Sequence, residues 1–478
     1  MQNGKLYHLI SRFDKIRRNQ FRRYLMSPYF NVNQSIVALF DLIEQDIVAQ
    51  ISYSKPILWA KIFPEKPIFD DLADARFRKL SSDLTKLLED FLIQQHFEAQ
   101  KMLRDHLFLD LVNDEKIEEL NTNAFHYGLR TLEKSDPREA HFLEQNYHLL
   151  FQLEELRNVG KNKLKISEGH ERYNSLESAL NDSFVCEYLK LACRRVVEQK
   201  EAPPSIGLFK GVLEWVESQS FENKKGGKLI EAFFNVLMMF QEDDEKFYYK
   251  TRTLLRAHHD EMPRNDRDTL YSYVSSFCVR RINKGNQNFT PEVHDLNKEM
   301  LSINAKENNK TMSHFRFTNI VMAAVRSNEF KWGETFIKDH AAHLPEKLSD
   351  NVTAYNLALV YFHQKKYDQA EEILRTIDFE DVIYSLGSKN MLMCIYYEQD
   401  EYDLLDALIS SFTKYLRQNK MVTDVQRQQC LNQIKFLGKM LRIQVRDKTQ
   451  ISKLEEAIRA ESLLANKGWL LQKISELR

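Results

Sequence analysis

Residues 354–374 read AYNLALVYFHQKKYDQAEEIL, and this stretch carries the most specific pattern in the chain. Apolar residues recur at steps of three and four on both sides of a polar segment, and small residues stand at Ala354, Ala358 and Ala370. Residues three and four apart share one face of an α-helix. The stretch therefore predicts two short helices joined by a tight turn.

The same pattern recurs on both sides of this stretch. Thirty-five residues downstream, the register is held by Leu392, Tyr396 and Tyr402. Upstream, it is held by Phe317, Ile320, Phe330, Gly333, Ile337 and Pro345. Self-similarity at a period of 20–50 residues is typical of repeat architectures. Over about residues 314–419 the pattern resembles the tetratricopeptide repeat (TPR) family, although Met393 and Leu405 replace its small residues in the third unit and the first two units are 37 residues apart.

The resemblance to TPR proteins implies a role for each position. In that family the small residues let the two helices of a hairpin approach closely, and the aromatic residues, here Tyr361, Tyr367 and Tyr402, pack between hairpins. The first helices line a concave groove that binds a protein or peptide segment. The groove positions map onto Phe315, Thr318, Met322, Val325, Arg326, Val352, Tyr355, Leu359, Phe362, His363, Asn390, Cys394, Tyr397 and Glu398.

Six of these groove positions are predicted to contact a partner: Arg326, Tyr355, Leu359, Phe362, Asn390 and Tyr397. Thr318 and Met322 stand where some TPR domains carry a Lys and Asn set that clamps a terminal carboxylate. We therefore expect a segment with apolar anchors as the partner, bound without catalysis. An alternative stays open, in which the C-terminal helices around Leu437–Leu471 fill the groove.

Helical spacing extends over nearly the whole chain. Glycine and proline number only 13 and 10 in 478 residues, and alternating runs typical of strands are missing. These features predict an all-α fold of stacked helical hairpins, an α-solenoid that becomes TPR-like toward the C-terminus. Prolines in Asp136-Pro137-Arg138-Glu139 and Thr290-Pro291-Glu292 predict helix starts. Turns are expected at Pro203-Pro204 and over residues 224–228.

Three regions are predicted: an N-terminal helical region over 1–160, a middle hairpin region over 161–310, and TPR-like repeats with capping helices over 311–478. Segments rich in Lys, Asn or Gly at Gly160–Gly169 and Asn283–Phe289 suggest the boundaries between lobes. The start of the chain, with Ser27-Pro28-Tyr29-Phe30-Asn31, resembles that of bacterial helical proteins of uncharacterised function. This resemblance implies a bacterial source and no activity.

Charge and cysteine content exclude several function classes. Basic and acidic residues number 68 and 69, so no overall charge favours nucleic acid, which is not the expected partner. Five cysteines without a C-x-x-C motif cannot form a disulfide framework. We expect a cytoplasmic protein, because neither a signal sequence nor a membrane-spanning segment is evident.

Local charge is uneven, and it supports a second hypothesis. Residues 1–28 contain seven basic residues and one acid, whereas residues 368–406 contain eleven acids and two basic residues. A basic amphipathic helix binds nucleic acid or an anionic membrane surface. The anion-binding candidates are Arg12, Lys15, Arg18 and Arg22. The uneven charge is also compatible with self-association, in which one end of the chain pairs with the other.

Clusters of polar residues suggest no reaction. His141, Glu144 and His148 share one face of a predicted helix, but a metal site needs a further ligand from elsewhere. The pair Cys186 and Cys193 lies beside Leu189 and is interpreted as buried packing. No nucleotide-binding or nucleophile motif occurs. The sequence therefore predicts a protein that is not an enzyme and holds no metal or cofactor.

Overall fold

The computed structural model describes residues 5–159, 169–198, 206–221, 224–306, 312–345, 348–375, 377, 382–443 and 448–477. Twenty-three α-helices make up most of these residues, and the described residues form no β-strand. The prediction of an all-α fold is therefore confirmed. Within the same residues, no helix combines the length and the apolar character that crossing a membrane requires.

The chain divides into two compact units, Met1–Leu270 and Tyr271–Arg478. The predicted boundaries at 160/161 and 310/311 lie outside the described residues, as does the turn predicted at Pro203-Pro204, and they stay predictions. The other proposed boundary, Asn283–Phe289, coincides with the connection between two helices.

The helices of the first unit are α1 (Lys5–Ser11), α2 (Lys15–Met26), α3 (Gln34–Ala49), α4 (Lys55–Ile62), α5 (Asp71–Ala99), α6 (Lys101–Asp114), α7 (Glu118–Lys134), α8 (Phe142–Val159), α9 (Gly169–Val197), α10 (Ile206–Ser218), α11 (Gly227–Gln241) and α12 (Glu245–His258). Helices α1–α5 enclose one hydrophobic core. Phe21 of α2 and Phe91 of α5 meet there with ring centroids 5.1 Å apart. Side-chain caps from Asp14, Asn33 and Asp70 satisfy backbone N–H groups at the starts of α2, α3 and α5.

The helix start predicted at Asp136-Pro137 is wrong, because α8 begins at Phe142. The Asp136 carboxylate accepts hydrogen bonds from the backbone N–H and the guanidinium of Arg138, which closes a local turn instead of a helix cap. His141 then adopts a left-handed conformation with φ of 59°. The start predicted at Thr290-Pro291 is confirmed within two residues, since the next helix begins at Phe289 and the prediction has Pro291 as its first residue.

The turn predicted over residues 224–228 is confirmed, and Gly226 makes it possible. Its φ of 74° lies in the left-handed region that glycine tolerates best. A Cβ atom built on Gly226 would stand 2.9 Å from Cδ2 of Leu143. Close packing at this position therefore also requires a residue without a side chain. Helix α11 starts directly after it at Gly227.

Helix α13 (Arg264–Asn283) crosses the boundary between the units. The second unit continues with α14 (Phe289–Lys306), α15 (His314–Arg326), α16 (Phe330–His340), α17 (Ser349–His363), α18 (Tyr367–Leu374), α19 (Val382–Glu398), α20 (Tyr402–Gln418), α21 (Asp424–Met440), α22 (Lys448–Ala460) and α23 (Lys467–Glu476). The pairs α15/α16, α17/α18 and α19/α20 form hairpins one, two and three, and their apolar faces share one core. The first helix of each hairpin contacts the first helix of the next.

Candidate partner-binding surface

Hairpins one, two and three turn in the same way. The residue that reverses the chain has a left-handed φ of 59° at Asn328, 61° at Lys365 and 59° at Asp400. The backbone N–H of the following residue then donates at 2.9 Å to the carbonyl five positions earlier, in the pairs Glu329–Ala324, Lys366–Tyr361 and Glu401–Tyr396. Asparagine and aspartate tolerate this conformation well, and lysine does so at a higher energy. The three turn residues are 37 and 35 residues apart, which is the spacing of the predicted repeat units.

The second helices present equivalent residues at their contact with the first helices. Gly333, Ala370 and Leu405 stand at the same place after the turn, and all three are buried. Ala370 and Leu405 are fully inaccessible to solvent. The third hairpin thus accommodates a leucine where the second holds a methyl group, so it provides more room at this contact.

The predicted groove face is open on hairpin one. Phe315, Met322 and Arg326 follow one another at i, i+7 and i+11 of α15, which places them on the same side of the helix. Phe315 is 58% exposed, Arg326 is exposed, and Met322 is half-buried. Thr318, on the same side, accepts a hydrogen bond at 3.1 Å from Nδ2 of Asn356 on α17. Aromatic, thioether and guanidinium groups are therefore available to a partner.

Hairpin two is packed on both sides, and its groove positions are less accessible. Tyr355 lies against α19, with its ring 5.3 Å from that of Tyr384. A Cβ built on Gly387 would stand 2.7 Å from the Tyr355 ring, so α19 carries glycine where that ring rests. Burial, and next Tyr384, raise the pKa of Tyr355 to about 12. Tyr355 therefore joins two hairpins rather than standing free.

The other predicted positions on α17 divide into buried and half-buried ones. Leu359 is only 4% exposed and belongs to the shared core, so the binding surface excludes it. Phe362 is half-buried, with its ring 5.8 Å from that of Tyr367. Desolvation of the imidazole, and next the positive charge of Arg326, lower the pKa of His363, because a protonated His363 would be repelled by that guanidinium.

On hairpin three, α21 and α23 cover the predicted groove face. Asn390 is 8% exposed, and its backbone carbonyl accepts hydrogen bonds from Nε2 of Gln433 at 3.1 Å and Nδ2 of Asn466 at 3.2 Å. The Cys394 thiol lies within 3.4 Å of the same Asn466 amide. Asn390 therefore contacts the protein's own helices, and the surface available to a partner excludes it.

The C-terminal end of α19 is covered by α23 as well. The indole of Trp469 packs edge-on against Tyr397 with ring centroids 5.4 Å apart, and its Nε1 donates to Glu398 at 2.7 Å. Lys473 forms an ion pair of 2.7 Å with the same carboxylate, and both side chains are 13% exposed. The alternative that C-terminal helices fill the groove therefore holds for hairpin three. The sequence pattern of the repeats does not mark Trp469 or Lys473.

The three tyrosines predicted to pack between hairpins have different environments. Tyr361 and Tyr367 are half-buried against the shared core. Burial, and next the Glu398 carboxylate, raise the pKa of Tyr367 to about 12. Tyr402 is 47% exposed and donates from its hydroxyl to Asp400 at 2.6 Å, so its packing role is wrong. A local bond to the turn residue holds its ring outside the core.

The anion-binding candidates fall into two pairs. Arg18 forms an ion pair with Glu44 at 3.1 Å, and Arg22 with Asp41 at 2.9 Å, so both guanidinium groups are engaged by α3. Arg12 and Lys15 are exposed, and no ion pair joins them to the described residues. Only the second pair keeps its charge free for a ligand.

The predicted cluster of His141, Glu144 and His148 lines one surface cavity of the first unit. His141 precedes α8 and lies 3.4 Å from Glu144, whereas His148 stacks on His106 with ring centroids 5.0 Å apart. No group of three or more potential ligands within the described ranges is arranged to hold a metal ion. Cys186 and Cys193 are buried, as predicted, and burial raises the pKa of Cys186 to about 12.

Comparison with known proteins identifies no relative: no family model, no curated protein and no solved structure matches the chain.

Proposed function

We propose that the protein is a non-enzymatic binding protein. Its second unit would form a TPR-like array, an α-solenoid of stacked hairpins, that holds a protein or peptide segment with apolar anchors. The binding surface would be the first-helix face of hairpin one and the adjoining edge of hairpin two. Its contact residues would be Phe315, Met322 and Arg326, with Phe362 at the edge.

One observation carries this proposal: three hairpins repeat the same left-handed turn and the same N–H to carbonyl bond in a sequence register of 35–37 residues. Repetition of one hairpin geometry, with contacts between successive first helices, is the construction of repeat arrays. Such arrays present a continuous surface for binding. The exposed phenylalanine and arginine on that surface are residue types that contribute strongly at interfaces.

A binding role is favoured over a catalytic one by the state of the reactive side chains. A nucleophilic cysteine needs an accessible thiol with a lowered pKa. The five cysteines of this chain are buried instead, and burial raises the pKa of Cys394 and Cys430. The candidate surface likewise lacks paired acid and base groups, since the ionisable residues among the predicted groove positions on α15 and α17 are Arg326, Tyr355 and His363, and none of them is a carboxylate.

Photo-crosslinking in the native host tests the proposal. A photoreactive phenylalanine analogue is placed at Phe315, and the matched control carries it at Tyr402, which is similarly exposed on a second helix. We expect one defined adduct from the Phe315 position and none from Tyr402. Arg326→Glu should remove the adduct without lowering the melting temperature. Adducts of equal yield at both positions, or an adduct insensitive to Arg326→Glu, would contradict the proposed surface.

A second candidate function, anion binding through α2, is supported by the free charges of Arg12 and Lys15. Phosphate binding weakens steeply as salt rises, because counterions compete for the cations. Binding of an apolar-anchored peptide changes much less. A salt titration of whichever ligand is captured therefore separates the two functions.

A further inference from the structure

The loop between α2 and α3 holds apolar side chains in solvent. Tyr29 is 88% exposed and Val32 is 84% exposed, so the loop presents two bare apolar groups within four residues. Single exposed apolar residues are ordinary on protein surfaces, but a continuous exposed patch marks an interaction site. Met26, the last residue of α2, is 61% exposed and extends the patch along the chain.

Internal bonds fix this loop in shape. Asn31 is buried, and its Nδ2 donates to the Leu25 carbonyl at 2.8 Å while its Oδ1 accepts from the Asn33 N–H at 3.0 Å. Phe30 stacks on Tyr24 with ring centroids 4.2 Å apart. Asn31 thus anchors the loop between the two exposed residues Tyr29 and Val32. A loop held in place loses little conformational entropy when it binds.

The outward face of α2 continues the patch and adds positive charge. Ile16, Arg23 and Met26 lie at i, i+7 and i+10 of one helix, within an arc that also includes Lys15. Ile16 is 69% exposed, and Lys15 and Arg23 are exposed. The opposite face of α2 buries Phe21 and Leu25 in the core. The helix is therefore apolar on the inside and mixed basic and apolar on the outside.

Three acidic residues near this face already have partners within the protein. Asp41 pairs with Arg22 at 2.9 Å and Glu44 with Arg18 at 3.1 Å, both from α3. Asp14 accepts the Arg17 backbone N–H at 2.7 Å as the cap of α2. The cations of Lys15 and Arg23 consequently have no ion pair with the described residues. They remain available to an external anion.

We propose that the α2 face and the α2–α3 loop dock on a lipid surface that carries anionic headgroups. Tyrosine is favoured at the boundary between headgroups and acyl chains, and basic residues are attracted to the charge of anionic lipids. The aliphatic side chains of Ile16, Met26 and Val32 are stabilised by burial at the boundary with the acyl chains. A second copy of the same basic face would be repelled. This proposal deepens the anion-binding alternative and is independent of hairpin one.

Vesicle flotation with the full chain tests the proposal. Vesicles of two parts phosphatidylcholine to one part phosphatidylserine should carry the protein upward, and pure phosphatidylcholine should carry far less. Binding should fall when salt rises from about 0.1 M to about 1 M, because the screening length shortens from about 10 Å to about 3 Å. Each basic residue near an anionic surface contributes about five-fold in partitioning, so Arg23→Glu should reduce binding roughly twenty-fold.

The loop is tested separately with Tyr29→Ser combined with Val32→Ser, which should reduce partitioning about ten-fold or more at constant charge. Matched controls are Leu72→Ser and Lys79→Glu on α5, where both residues are exposed. Leu72 lies nineteen residues before Phe91, the residue that contacts Tyr24, which is about 28 Å along the helix axis. The controls should bind vesicles like the natural sequence, and all variants should show unchanged helical circular dichroism.

Four results would overturn the proposal. The first is equal flotation with both vesicle types, and the second is loss of binding in the α5 controls as well as the loop variant. The third is salt-sensitive binding to a fluorescent DNA or RNA duplex without vesicle binding, which would retain anion binding and reject the lipid surface. A dimer that dissociates in the loop variant, with no vesicle binding in either form, would assign the patch to self-association and equally reject the proposal.

Discussion

Hairpins one and three have the same backbone turn but different surroundings. On hairpin one, Phe315 and Arg326 are open to solvent, whereas on hairpin three the equivalent face lies under α21 and α23. A repeat register therefore specifies the face on which a side chain lies but not which helices cover that face. Coverage is decided by helices that lie outside the repeats, such as α23 at residues 467–476.

The largest effect is expected at the hairpin contact that differs most in side-chain volume. Leu405 is fully buried at the position that corresponds to Ala370, so Leu405→Ala should leave a cavity and lower the free energy of unfolding by about 2–5 kcal/mol. Its neighbour Leu404 is exposed, and Leu404→Ala should change stability by less than about 0.5 kcal/mol. Urea denaturation of both variants checks this. Equal midpoints would contradict the assignment of Leu405 to the contact.

The reverse exchange on hairpin two should have a smaller effect. Ala370 is fully buried against α17, and Ala370→Leu should overpack that contact and lower stability by about 1–3 kcal/mol. The exposed neighbour Gln369 serves as the control, because Gln369→Leu introduces the same leucine side chain where solvent leaves room for it. An unchanged melting temperature for Ala370→Leu would mean that hairpin two can open as widely as hairpin three.

The strength of the contact between α23 and hairpin three can be measured through the ion pair of Lys473 and Glu398. Both side chains are nearly buried, and Glu398 also accepts the Trp469 indole N–H. A double-mutant cycle with Lys473→Met and Glu398→Gln should give a coupling energy of about 0.5–3 kcal/mol. The i,i+4 pair Arg459 and Glu455 within α22, whose arginine side chain is 63% exposed, is the control, where about 0.5 kcal/mol is expected. A coupling no larger than that of the control would mean that α23 rests loosely on α19.

The smallest effect is a pH dependence that hairpin three should show through Lys389. Burial lowers the pKa of Lys389 from its ordinary 10.5 to about 8. Between these values the unfolded chain binds more protons than the folded one, so this lysine makes stability rise with pH from about 8 upward. Lys389→Met should remove that contribution, so the gap in melting temperature between variant and natural sequence should narrow over this window. The exposed Lys414→Met should show no such change, and a constant gap for both would contradict the burial of Lys389.

The sequence predicts individual helices better than it predicts which distant helices cover a given surface, and particular residues show the physical reason. Spacing of apolar residues identifies α17 and α18 because burial of one face is a local property of a helix. The start of α8 is mispredicted because the Asp136 carboxylate accepts the backbone N–H of Arg138 within a turn. A helix N-cap would satisfy the same N–H group. Asn390 and Tyr397 occupy the expected positions, yet their contacts come from Asn466 and Trp469, more than seventy residues away in the chain. No local pattern encodes such contacts.

Thiol labelling tests the central claim, the difference in access between hairpins one and three, most directly. The five natural cysteines are buried, so the folded protein offers a low background for a maleimide reagent. Arg326→Cys and Glu398→Cys place single thiols at equivalent positions of α15 and α19, each two residues before the left-handed turn residue. We expect the maleimide to label the first variant rapidly in the folded state. It should label the second variant only after denaturant has exposed the introduced thiol. Equal rates for the two variants in the folded protein would contradict the claim that α23 covers hairpin three while hairpin one stays open.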